Sequence, residues 1–321
     1  MAEQQVATTI IKRTAEQLGN MLPDGPDGSL YPMLEYVPAQ MLFYMYTDML
    51  TPLGATTLII DGVAFVALPL PCETDSNIAL YVPSLSVAFV SSIYYRQQPF
   101  IGAVRGGTPR PIKKWIEQIT AIKSMYPVAI GVSHSFPMIG MQKIQYELQW
   151  TINRMTYMMN YVISRLNNGM HPRDIAWNLE NENAFLHGAS GVSPQELYGY
   201  PYAAAMGTFA NTLGWYTGSV EELEMVNKTT EAVRIVELMG GVQSVVSKIK
   251  NVLKNAKKID DLRFALQLSA YALRACPTGD SVNRDAIKLY YAEACTRLGH
   301  LQINIPKRNT YLSAAVEVAA M

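Results

Sequence analysis

Between Met141 and Asn168, apolar residues fall at positions 141, 144, 148, 152, 155, 159, 162, 163 and 166. That is the spacing of one buried helical face. A pattern this long commits the chain to helix packing, and Gly169 suits the C-terminal cap. Other helices follow from shorter signals. Residues 1–19 read as an amphipathic helix stopping near Gly19, and residues 30–50 as partly helical between Pro32 and Pro38. Ser193-Pro194-Gln195-Glu196 and Ser219-Val220-Glu221-Glu222 have the form of capping boxes. The second predicts a helix through about Met239, closed by Gly240-Gly241. Helices are also expected over 242–258, 261–276 and 283–298, the last stopped by Gly299.

The clearest strand signal is Thr56–Ile60, then Asp61-Gly62, then Val63–Leu68. Asp-Gly between two apolar runs supplies the positive φ values of a tight hairpin. Residues 78–95 continue in β-branched and aromatic style, a pattern that also fits a buried helix. Gly102–Pro111 is a loop carrying Arg105 and Arg110. The fold class that results is mainly α with a small β-hairpin element in the N-terminal part, arranged as a two-lobed helical protein. Residues 1–125 would form a mixed α/β lobe, and 126–321 a helical lobe ending in an apolar arm.

No stretch approaches 18 uninterrupted apolar residues, so no membrane span is expected. The N-terminus lacks the form of a cleavable signal. Cys72, Cys276 and Cys295 form neither a disulfide framework nor a zinc pattern, which predicts an intracellular, reducing location. Asn227-Lys228-Thr229 matches a glycosylation sequon without a secretory route to use it. Glu180, Glu182 and His187 are close enough to be metal ligands, but their spacing matches no common site, and no metal or cofactor is expected. Gly131-Val132-Ser133-His134-Ser135 begins like a nucleophile elbow and lacks the closing Gly. No catalytic motif emerges, and the chain is read as a non-enzyme.

Charge is distributed in blocks. The 26 basic and 26 acidic residues cancel in total, yet residues 1–75 carry a net −7, 76–173 a net +8, 174–237 a net −7 and 238–321 a net +6. Either a polyanion touches both basic blocks, or acidic and basic blocks face each other within one fold or between protomers. Three clusters could form a nucleic-acid site. Arg105, Arg110, Lys113 and Lys114 lie beside Trp115, a ring suited to base stacking. Lys143, Arg154 and Arg165 are eleven residues apart, which brings them within about 20° of one helical stripe. Lys248, Lys250, Lys254, Lys257 and Lys258 fall together without an acid among them.

Residues Tyr198–Gly214 combine an aromatic-Pro entry, a small-residue helix and a Gly exit. The segment is similar in style to one in nucleoproteins of non-segmented negative-strand RNA viruses. The resemblance covers about 20 residues and matches no family RNA-binding position; a tightly packed helix crossing also explains it. It implies two lobes, exchanged terminal arms (1–19 and 311–321), self-assembly as a homo-oligomer, and single-stranded RNA in a basic groove. The reading expected here is a viral-type nucleocapsid or coat protein of the virion and host cytoplasm, with a polymerase cofactor as a candidate partner of the acidic block 174–237. Two other readings stand beside it: a structural shell whose charge blocks pair between protomers, and a soluble enzyme without a recognisable motif.

Overall fold

The computed structural model describes residues 7–19, 22, 55–75, 77–94, 96–107, 110–181 and 196–321. These residues are mostly helical, with a small sheet in the N-terminal part. The chain divides into two compact units. Residues 55–219 belong to the first; residues 220–321, with most of the N-terminal helix, belong to the second. A boundary at 125/126 would fall inside the first unit.

The first unit is built on six strands: β1 (Thr56–Ile60), β2 (Val63–Pro69), β3 (Ile78–Val82), β4 (Val87–Phe89), β5 (Ala129–Gly131) and β6 (Met138–Ile139), in sequential order. The β1–β2 hairpin forms as expected, with Asp61 and Gly62 at φ 51° and 81°. Those values give the turn the twist that the strands need. Residues 78–94 form β3 and β4 with short 3-10 turns. β4 pairs with β5 in parallel, and α1 (Ile112–Ser124) makes the crossover between them. That pairing joins residues about 40 positions apart, beyond any local pattern.

The inner face of this sheet buries Ala79, Ala88, Ile130 and Met138 against Trp115, Ile119 and Ile122 of α1 and against α2 (Met141–Asn167). The α2 pattern is close to that expected but rotated. The buried positions are 144, 147, 148, 151, 154, 155, 158, 161 and 162, which take in Glu147, Thr151 and Arg154, while Met141 is exposed. Gly169 closes the helix at φ 73°: its N–H bonds to the Leu166 carbonyl, and that of Met170 to the Arg165 carbonyl. These two bonds form the Schellman motif. α3 (Pro172–Asn181) and α4 (Pro201–Leu213) complete the core through Ile175, Leu179, Ala204 and Ala205.

The small-residue character of α4 has a packing cause. A Cβ on Gly102 would collide with the Ala203 carbonyl oxygen, and one on Gly207 would sit 2.9 Å from the Gly102 nitrogen. The backbones of α4 and the 99–103 loop therefore touch, and only glycine allows that approach.

The second unit packs α5 (Lys228–Leu238), α6 (Val242–Asn255), α7 (Ile259–Ala275), α8 (Ser281–His300) and α9 (Ile305–Ala320). Its core includes Val236, Val245, Ile249, Leu253, Leu262, Leu268, Ile287 and Leu298. The Ser219 capping box opens only one 3-10 turn, Val220–Glu222. The helix starts later, where the Asn227 side chain accepts the Thr230 N–H at 2.9 Å. The sequon asparagine is thus an N-cap. Gly299 does not stop α8; it lies buried within the helix against Leu312. The expected exchanged arms are also corrected. The N-terminal helix (Ala7–Leu18) docks on α9 of its own chain through Lys12–Glu317 at 2.9 Å and Asn309 Nδ2 donating to the Gln17 carbonyl at 3.2 Å. Residues 193–195 of the first capping box and the 30–50 segment lie outside the described residues.

Because Gly207 meets backbone, Gly207→Ala is expected to cost about 1–3 kcal/mol of stability. Urea unfolding followed by circular dichroism checks this; an unchanged midpoint would contradict the close approach.

Candidate functional site

In an open sheet with parallel strands, ligands gather beyond the carboxyl ends of those strands. Here those ends are Phe89 of β4 and Gly131 of β5, held together by the Val90 N–H bonding to the Gly131 carbonyl at 2.8 Å. The chain leaves β4 through the turn Ser91–Ile93, with Ser91 at φ 48°, and leaves β5 through the loop 132–137. Ser92 Oγ and His134 Nε2 meet across this gap at 3.0 Å, both accessible to solvent. A hydroxyl paired with an imidazole at a strand end can exchange a proton with a bound molecule or water. The Gly131–Ser135 stretch is no elbow, because β5 continues by a loop into β6 rather than turning into a helix. The Ser92–His134 pair spans 42 residues and obeys no spacing rule; only the parallel β4–β5 pairing brings it together.

Around these strands the first unit buries ion pairs. Glu147, on the core face of α2, accepts from Arg96 Nε at 3.0 Å and Nη2 at 3.2 Å and from the Tyr94 hydroxyl at 3.3 Å. Burial, with Glu147 beside it, pushes the Tyr94 hydroxyl well above its ordinary value. Arg110 donates to the Phe100 carbonyl at 2.9 Å and pairs with Glu73 at 3.1 Å. Arg154, with 1% of its side chain exposed, donates to Gln98 Oε1 at 2.7 Å and to Glu196 Oε1 at 3.0 Å. Desolvation lowers its pKa, opposed by Glu196.

The basic clusters therefore disperse. Arg110 and Arg154 are buried in ion pairs, and Trp115 is buried with its indole N–H on the Ile93 carbonyl at 2.6 Å, so its ring faces no base. Arg105 is half-buried; Lys113 is exposed; Lys114 reaches Asp75 at 3.7 Å. Lys143 is exposed, whereas Arg165 lies over the Tyr161 ring at 3.3 Å. Only the second-unit group stays together on the surface: Lys248, Lys250, Lys254, Lys257 and Lys258 are all exposed, with Lys248 donating to the Met239 carbonyl at 2.7 Å. Among the described residues no group of three or more His, Cys, Asp or Glu is placed to hold a metal ion. Glu180 accepts the Tyr202 N–H, and Glu182 and His187 lie outside the described residues.

A cavity of about 390 Å³ opens where α2 and α4 end, lined by residues that include Leu166, Met170, His171, Leu213, Tyr216 and Thr217. Its walls mix the apolar side chains of Leu166, Met170 and Leu213 with polar groups of His171, Tyr216, Thr217 and Ser219, and His171 Nδ1 accepts the Arg173 N–H at 3.2 Å.

The chain's likenesses to known proteins point elsewhere than the nucleoprotein reading. The family model described as alkyl sulfatase dimerisation matches residues 187–320. A linear primary-alkylsulfatase of Pseudomonas sp. (strain ATCC 19151) is 26% identical over 262 residues, covering 81% of this chain and 47% of that protein. An (R)-specific secondary-alkylsulfatase of Pseudomonas sp. is 25% identical over 268 residues, covering 81% of this chain and 38% of that protein. The solved structure of the stereoselective inverting sec-alkylsulfatase Pisa1 from Pseudomonas sp. superposes with a TM-score of 0.81 at 20% identity, over 98% of this chain and 49% of that one. The chain thus spans about half the length, or less, of these relatives.

These likenesses overturn the resemblance to negative-strand RNA virus nucleoproteins and, with it, the nucleocapsid, RNA-binding and virion readings. They also overturn the expectation of a non-enzyme, since the relatives are named as alkylsulfatases. Neither RNA nor a polymerase gains support as a partner. Like charges adjacent in sequence need not be adjacent in space, and Arg110 and Arg154 are themselves buried, each paired with a carboxylate. No helix among the described residues is long and apolar enough to cross a membrane.

All three cysteines are buried. Burial pushes the thiols of Cys72 and Cys295 up to about 12. At pH 8 both stay protonated and shielded, so iodoacetamide is expected to leave them unmodified until denaturant is added. Peptide mass spectrometry reads this directly; rapid native alkylation of Cys72 would contradict its placement beside Arg110 and Glu73.

Proposed function

We propose that this chain is an alkylsulfatase-type protein, which hydrolyses the sulfate ester of an alkyl alcohol and works as a homodimer assembled through residues 187–320. One observation carries the reading. The segment matching the alkyl sulfatase dimerisation family contains the helical run 220–320, while relatives aligned over 81% of the chain bear alkylsulfatase names. The enzyme reading left open by the sequence is the one these names support.

Hydrolysis adds water across the ester, yielding an alcohol and sulfate and releasing a proton. A proton acceptor near the ester is therefore needed. Among the described residues, the Ser92–His134 pair at the strand ends suits that role, because an imidazole can both take and return a proton and the hydroxyl lies within hydrogen-bond reach of it. The apolar walls near Leu166 and Leu213 suit contact with an alkyl chain.

The test is sulfate release from a linear primary and a secondary alkyl sulfate by the purified chain, followed by ion chromatography. Release from at least one is expected, with His134→Ala lowering it by about 100-fold or more. No release from either ester would contradict the activity; full activity in the variant would contradict the role of His134.

A further inference from the structure

The second unit leaves a short apolar segment in water. Val220, Leu223, Met225 and Val226 are four large apolar residues within seven positions, each at least half exposed. The segment makes one 3-10 turn and then runs to the Asn227 cap, so it has little structure of its own to hold it. Scattered exposed apolar residues are ordinary, but a contiguous group marks an interaction surface. Glu221 and Glu224 are interleaved with these residues and are also exposed. An apolar centre flanked by charges has the composition of a protein–protein contact rather than of a small-molecule pocket.

The same unit carries the complementary charge. Lys250 and Lys254 stand four residues apart on α6, with Lys257 just beyond its end, all exposed. No carboxylate among the described residues pairs with them. Like charges at that spacing repel on an isolated helix, and a partner bearing carboxylates relieves the repulsion. Both surfaces lie inside residues 187–320, the segment matched to the dimerisation family.

We propose that the 220–226 segment of one copy packs on a second copy of this chain, with Glu221 and Glu224 facing the second copy's Lys250 and Lys254, and the reverse contact made by the two-fold. This rests on the homodimer reading above and locates its interface. The arrangement is isologous, as a closed dimer requires.

Light scattering over a dilution series decides it. Wild type is expected at twice the 35.6 kDa chain mass. The pair Val220→Asp with Leu223→Asp is expected to raise the dimer dissociation constant by about tenfold or more, the effect of losing interface anchors. Val282→Asp, at a residue of the same unit that is 79% exposed, is expected to leave it unchanged. Glu221→Lys with Glu224→Lys, and Lys250→Glu with Lys254→Glu, should each weaken the dimer, and the four together should restore it. Circular dichroism confirms that each variant is folded. A wild-type dimer that tolerates the Val220 and Leu223 changes, or responds equally to Val282→Asp, would overturn the location while leaving the dimer reading standing. Failure of the fourfold variant to recover would overturn the charge pairing. A wild type that is monomeric at every concentration would remove the dimer itself.

Discussion

Arg154 is the residue around which the first unit is organised. Its guanidinium is buried midway along α2, held by Gln98 from the loop before the crossover helix and by Glu196 from the approach to α4. A charge taken out of water is tolerated only when its donors are met and a counter-charge lies close. Three separate stretches of chain must therefore converge on one side chain. Gln98 is itself buried and donates to the Pro99 carbonyl, which fixes the loop that α4 touches through Gly102 and Gly207. The Arg110–Glu73 pair makes a second tie of this kind, and Asn211 of α4 donates to the Arg110 carbonyl at 3.2 Å. The sheet, whose parallel strand ends carry Ser92 and His134, thus shares one core with helices fixed by buried charge.

Much of this was legible where local physics decides. The 3.6-residue period located α2, and Gly169 marked its end because a positive φ after a helix favours glycine. Asp61-Gly62 specified the hairpin for the same conformational reason. Three features were not legible. The parallel β4–β5 pairing is non-local and leaves no period. The helix begins at the Asn227 cap rather than at the Ser219 box, and residues 223–226 between them are exposed. Gly299 was read as a stop, whereas its missing side chain makes room for Leu312.

The candidate site fared less well for a related reason. Basic residues spaced along a helix suggest a basic surface, but the face of α2 at Arg154 is interior. Of the three clusters, the stripe 143, 154 and 165 lost its middle member to the core, and the loop cluster lost Arg110 and the Trp115 ring. The aromatic-Pro, small-residue segment 198–214 has a plain structural origin: Gly199 bonds to the Gln98 carbonyl, and Gly207 admits the 99–103 backbone. Composition signalled close packing there. The alkylsulfatase likeness could not be reached from charge or spacing, and the Ser92–His134 contact joins strand ends that no local pattern connects.

The most direct test of this account is a double-mutant cycle on Arg154 and Glu196, using Arg154→Met and Glu196→Gln, with unfolding free energy as the readout. If the buried pair organises the unit, each single change leaves a buried group unmatched, and the coupling energy should exceed about 1 kcal/mol. A coupling near zero, with both single variants as stable as wild type, would contradict the claim that the fold depends on this charge.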